Sequence, residues 1–160
     1  MAGKVYEYPY LIHLHETNAV GGVVYFSNYV KWQGIVREDF FIKSVPEYRQ
    51  IMMDVVSGKV NMITVEEHSR FISHALFGDE ILIRLHTEDI QKCSFKFFFR
   101  MTKKNENGEI YEGWQTVSFD DYRGRFIPIP VPFLRVVLDY APPKELDLYK
   151  TRYPLSAKIE

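Results

Sequence analysis

Residues 13–37 read HLHETNAVGGVVYFSNYVKWQGIVR. The stretch begins as a strand, passes a polar loop and a glycine pair, and then turns helical. His13, His15, Glu16, Thr17 and Asn18 crowd the loop ahead of Gly21-Gly22. From Ser27 to about Phe41 the spacing changes. Val30, Gly34, Arg37 and Phe41 fall near one helical line, with Tyr29, Gln33, Val36 and Phe40 beside it. Such a helix is apolar around much of its girth and calls for burial. Ser27 or Asn28 is placed to cap it. Either the loop is an ordinary connection, or it is a site built where a helix begins.

On the N-terminal side, residues 5–15 read as a strand with Tyr6, Tyr8, Tyr10, Ile12 and Leu14 on one face. On the other side a shorter helix is expected from Pro46 to about Val55, ended by Ser57-Gly58. After that the chain reads as β. Strands are expected over Lys59–His74, Glu80–Ile90, Cys93–Lys103 and Glu109–Tyr122, with Phe77-Gly78-Asp79 and the Lys104–Gly108 loop, which contains Asn107-Gly108, as turns. The short turns predict an antiparallel meander. Cys93, Phe95, Phe97, Phe99 and Met101 share one face of their strand. Pro128, Pro130 and Pro132 alternate, which predicts an extended segment outside the central sheet. A short helix over Phe133–Tyr140 follows, and then a polar tail, 141–160, expected to be poorly ordered. The expected architecture is α+β: a single domain over residues 1–140 with about five antiparallel strands curved around one long helix.

The bulk composition is ordinary for a globular chain of 160 residues, and a net charge of −1 gives no global field for nucleic acid or an anionic membrane. One cysteine, Cys93, excludes an internal disulfide and a cysteine-rich zinc cluster. No run approaches membrane-spanning length and no apolar signal core is seen at the N-terminus, so a cytoplasmic location is expected. Aromatic residues reach 16% of the chain, which points to a bulky core, a subunit interface or an apolar ligand channel. His13 and His15 lack a third metal ligand at convincing spacing, Cys93 sits in an apolar alternation, and no GxSxG motif is present.

The segment ETNAVGGVVYFSNYVKWQGIVRE (16–38) resembles the signature of hot-dog fold thioesterases of the 4-hydroxybenzoyl-CoA thioesterase type. MITVEEHSRFISHALFGDEILIRL (62–85) resembles that family's long strand and Gly-Asp turn, and PIPVPFLRVVL (128–138) its closing helix. Asn18 stands where the family usually carries Asp. That feature, with Arg37 on the helix, looks like the thioesterases that accompany enediyne polyketide synthases. The resemblance implies release of a polyene β-ketoacyl chain from an acyl carrier protein, then decarboxylation to a methyl ketone or linear polyene. It implies no cofactor and a homodimer at least, with a homotetramer expected.

Thioester hydrolysis needs a positioned water, a stabilised oxyanion and a held acyl chain. A helix start offers unpaired N–H groups and positive potential. Gly21 and Gly22 would let an acyl group approach the backbone, and donors are expected around Val24, Tyr25 and Phe26. Asn18 can hydrogen-bond but cannot act as a base at neutral pH. Arg37, ten residues into a buried helix, must be paired or functional. It either holds a β-keto oxygen or product carboxylate, or pairs with Glu38 or Glu66. Tyr25 and Tyr29, four apart, either line the site or pack. Thr64 is expected to orient water, with Glu66 a base or an ion-pair partner. Two rivals remain: a general acyl-CoA thioesterase, and a non-catalytic acyl-binding protein. Lys31, Arg70, Lys92, Arg123 and Arg125 offer phosphates or an acidic carrier a basic mouth.

Overall fold

The computed structural model describes residues 3–18, 20–105 and 108–154. The strands are β1 (Tyr6–Leu11), β2 (Asn61–Phe71), β3 (Glu80–Glu88), β4 (Ser94–Lys103) and β5 (Glu109–Asp120). The helices are α1 (Ser27–Ser44), α2 (Tyr48–Val56), α3 (Val131–Asp139) and α4 (Pro143–Arg152). All strand pairs are antiparallel, in the order β1-β3-β4-β5-β2, and the sheet curves around α1.

Alternation builds the inner face. Phe95, Phe97, Phe99 and Met101 of β4 are fully buried, as are Ile81, Ile83 and Leu85 of β3. Against them α1 sets Tyr29, Trp32, Val36, Phe40 and Phe41. Phe40 and Phe41 both meet Phe97 edge-on, at ring-centroid separations of 5.8 and 5.4 Å. Burial of each such ring is worth about 1.5–3 kcal/mol.

Four expectations are corrected. The meander holds only for β3-β4-β5; β2 lies at the far edge beside β5, while β3 pairs with β1. The expected turn forms at Phe77-Gly78, but the 72–79 connection that contains it crosses the sheet end, anchored by the Val23–Leu76 bridge and by Ile72 N–H donating to Ile110 O. β1 ends at Leu11, because residues 14–16 form a 3-10 turn that leaves Leu14 exposed. Neither Ser27 nor Asn28 caps α1; Asn28 Nδ2 donates instead to Glu16 O at 2.7 Å. The tail forms helix α4, held by buried Tyr149 and by Glu145 accepting from Asp89 N–H. Asn107 and residues 155–160 lie outside the described residues.

One carboxylate ties β1, the turn and α1 together. Glu16 is 1% exposed and accepts from Tyr10 Oη (2.7 Å), Trp32 Nε1 (2.8 Å) and the His13 amide (2.9 Å). Burial alone would raise its pKa, but these three donors and the charge of His15 outweigh burial and hold it below its ordinary 4.5. A depressed folded-state pKa stabilises the fold above the unfolded value and loses that stabilisation as pH falls. We therefore expect Glu16→Gln to cost about 1–3 kcal/mol at neutral pH, seen in urea unfolding. The gap from wild type should narrow as pH drops below 4.5.

Gly113 on the inner face of β5 leaves room for Tyr111. A Cβ there would lie 2.5 Å from both His68 O and Tyr111 Oη. Gly113→Ala should destabilise by about 1–3 kcal/mol through overpacking, measurable as a fall in Tm.

Candidate active site

The loop before α1 folds as a small hairpin. Asn18 N–H donates to Val23 O at 2.8 Å, and Thr17 bridges Val24. Gly21 (φ 79°) and Gly22 (φ 61°) take the left-handed conformations that close it. The loop is pinned from behind, where Phe77 N–H donates to Gly22 O. Asn18 itself is exposed.

The amides expected as oxyanion donors divide. Val24 N–H donates to Ala75 O and Tyr25 N–H to Glu16 O, both at 3.0 Å, so these two are spent within the fold. Phe26 and Ser27 amides meet no acceptor among the described residues. The open donors therefore begin at Phe26 and extend one residue beyond the expected set. Tyr25 and Tyr29 do not share a face, because Tyr25 precedes the helix. Tyr25 is exposed against Phe26, whereas Tyr29 is buried, stacked on Tyr111 at 5.2 Å and edge-on to Phe71 at 5.4 Å.

Arg37 is half-buried on α1, where it faces the β2–β5 edge of the sheet. Its Nη1 donates to Thr64 Oγ1 (2.8 Å) and Gln115 Oε1 (3.0 Å). Burial pulls its pKa down from the ordinary value, against upward pulls from Glu38 and Tyr48. Among the described residues no carboxylate forms an ion pair with it. A guanidinium has five N–H donors, and among the described residues only Nη1 is engaged. The ion pair weighed from sequence, with Glu38 or Glu66, does not form.

Glu66 is placed elsewhere by a β-bulge. The β2–β5 register runs Thr64 opposite Val117, then Glu66 opposite Thr116, so Val65 is the extra residue. Beyond it the faces exchange. Glu66 joins His68 and Arg70 on the outer face, where Thr116 Oγ1 donates to it at 3.0 Å. Thr64, Glu67, Ser69 and Phe71 share the inner face with Tyr111, Gly113 and Gln115. Simple alternation puts Thr64 and Glu66 on the same side; only the pairing with a strand some fifty residues away reveals Glu67.

A hydrogen-bond chain that starts in the core and ends at the exposed edge completes this face. Gln33, with no exposed surface, donates through Nε2 to Tyr111 Oη, and its Oε1 has no partner. Tyr111 Oη lies 2.7 Å from Ser69 Oγ, which donates to Glu67 Oε1. Burial chiefly, with the Glu67 charge adding, pushes the Tyr111 hydroxyl up to about 12, so it stays protonated. Gln33, Tyr111, Ser69, Glu67 and Gln115 were not marked as site residues in the sequence. Among the described residues no cluster of three His, Cys, Asp or Glu could hold a metal ion.

Solved structures show the same fold. A 1,4-dihydroxy-2-naphthoyl-CoA thioesterase from Synechocystis is 16% identical, with a TM-score of 0.77, over 85% of this chain and 97% of that one. A dynemicin thioesterase, whose crystal structures describe polyene binding, is 24% identical with a TM-score of 0.75, over 86% and 98%. A gentisyl-coenzyme A thioesterase is 21% identical with a TM-score of 0.67, over 81% and 98%. No curated protein matches the chain by sequence. The model of the thioesterase-like superfamily matches residues 12–138, well over half of the chain. With its sheet curved around a central helix, this chain belongs to that superfamily, carries its hot-dog fold and is a thioester hydrolase.

Proposed function

We propose that the protein hydrolyses the thioester of a β-ketoacyl chain, a polyene carried on the acyl carrier protein of an iterative polyketide synthase, and that the acid released loses CO2. The observation that carries this reading is Arg37: a half-buried cation that, among the described residues, has no carboxylate partner and keeps N–H groups free for a ligand oxygen. A β-keto oxygen or a product carboxylate satisfies such a group, whereas a saturated acyl chain offers it nothing. A β-keto carbonyl also makes the thioester more electrophilic, which suits a site with Asn18 in place of a carboxylate. The dynemicin thioesterase, a polyene-binding neighbour, is consistent with this substrate class.

Thr64 positions Arg37, while Asn18 and Tyr29 lie at the helix start, where Phe26 supplies the oxyanion amide. Arg37 lies ten residues beyond Ser27, about 15 Å along the axis. The two carbonyl carbons of a β-ketothioester are separated by a single carbon. One copy therefore cannot present both the helix-start amides and Arg37 to one substrate head. A second copy completes the site. The free edge of β2, an 11-residue strand with exposed Val65 and Phe71, carries Thr64 and is the surface on which it pairs. Of the expected basic mouth, Arg70 and Arg125 are paired with Glu112 and Asp121. Lys31, Lys92 and Arg123 remain for the acidic carrier.

Thiol release from β-ketoacyl and saturated acyl thioesters of matched length tests the reading. The β-keto ester should be cleaved preferentially with CO2 release, and Arg37→Ala should cut that rate at least 10²-fold while sparing the saturated ester. Equal cleavage of both esters would favour a general acyl-CoA thioesterase. Sedimentation should show a dimer or a tetramer, and an active monomer would contradict the shared site.

A further inference from the structure

The mechanism so far lacks a base. Asn18 cannot serve, Tyr29 and Tyr111 are held protonated by burial, and Glu66 points away from the site. We infer that Glu67 is the general base that activates the hydrolytic water, delivered to the inner face by the Val65 bulge. This rests on the thioester substrate reading and adds to it a residue and a role.

Three observations point the same way. First, the bulge is the only irregularity in the β2–β5 ladder, and it falls one residue after Thr64 and two before Glu67. It places Thr64 and Glu67 on one face, with Glu67 directly opposite Gln115, the residue that accepts from Arg37. Directly paired residues on one face have their Cβ atoms about 5 Å apart, so the carboxylate lies beside the group that holds the guanidinium.

Second, the hydrogen-bond chain runs one way. Gln33 donates to Tyr111 and Ser69 to Glu67; with the single Ser69 proton spent on the carboxylate, Tyr111 Oη donates toward Ser69 Oγ, with Glu67 Oε1 3.5 Å away. Every donor is oriented toward the carboxylate, so each bond polarises the next. The chain fixes Oε1 and the rotamer. Oε2 has no partner among the described residues and is left for a water. Third, the orphan Gln33 Oε1 shows that the chain is held at the cost of an unsatisfied buried acceptor.

The charged and titratable groups on this inner face are Tyr29 and Arg37 of α1 and Tyr111 of β5, with Glu38 of α1 and Tyr48 of α2 acting on the Arg37 charge; His68 and Glu66 lie on the opposite side of β2. In the reaction, Glu67 takes a proton as the water oxygen bonds to the thioester carbonyl carbon. The tetrahedral intermediate collapses with cleavage of the C–S bond, and the proton passes from Glu67 to the departing sulfur. The products are the free acid and the carrier thiol, with the carboxylate restored. Arg37 then faces the acid as it loses CO2.

The test is steady-state kinetics on a β-ketoacyl pantetheine thioester across a pH series, with wild type, Glu67→Gln, Glu67→Asp and Ser69→Ala. Glu67→Gln should lower kcat by about 10²–10⁴-fold with KM little changed, and the acid limb of the wild-type profile should vanish. Glu67→Asp should retain part of the rate and keep the limb. Ser69→Ala, which leaves the carboxylate but removes its tether, should lose less than Glu67→Gln. Glu67 is exposed in the single chain, so its variants should fold with unchanged circular dichroism. A wild-type kcat and pH profile in Glu67→Gln would overturn the assignment and leave the substrate reading standing. A wild type that cleaves no β-ketoacyl thioester would overturn both.

Discussion

A sheet has two faces, and one extra residue exchanges them. The site depends on that constraint at Val65. Without the bulge, Thr64 would share the inner face with Glu66, His68 and Arg70, and three charged or titratable side chains would be driven against α1. With it, Thr64 stays under Arg37 while Glu67, Ser69 and Phe71 turn inward. At the apolar end of the face, half-exposed Phe71 sets its ring edge-on against the core rings Tyr29 and Tyr111. The polar end stays at the sheet edge, where a second copy and a substrate can reach it.

The helix reads the same division in its own period. Its buried side is nearly all aromatic and aliphatic, so the two polar groups that face the sheet, Gln33 and Arg37, stand out against it. They are four residues apart and therefore one turn apart on the same side. Each meets one branch of the polar line: Gln33 joins Tyr111 and Ser69, and Arg37 joins Thr64 and Gln115. The buried Glu16 carboxylate, by contrast, is spent on the fold. Its three donors fix where α1 begins, and with it the direction in which the Phe26 and Ser27 amides point.

Much of this was legible in the sequence, for physical reasons. A helix apolar on most sides needs a wrapping sheet, and the Phe95–Phe97–Phe99 alternation names the inner face of β4. The family resemblance singles out Arg37 and Thr64 as site residues, but their hydrogen bond to each other is seen only in the fold. Glu67 was not legible, because a bulge is a property of two strands, and β5 pairs from some fifty residues away. The order of β2 was hidden for a similar reason: the 72–79 connection looks like a hairpin until its backbone bonds to Ile110 and Val23 are seen. The open amides were misjudged by two residues, because Val24 and Tyr25 are satisfied by long-range partners. Helix α4 was missed since its composition is polar, and one buried tyrosine anchors it.

We place binding and cleavage of the acyl head at the polar line between α1 and β2. The most direct measurement is a crystal structure with a non-hydrolysable β-keto analogue, the thioester sulfur replaced by methylene, on a pantetheine arm. The β-oxygen should lie on the Arg37 guanidinium, with a water between Glu67 Oε2 and the reacting carbonyl, in a pocket shared by two copies. An acyl head seated away from Arg37, or a complete pocket within one copy, would contradict it.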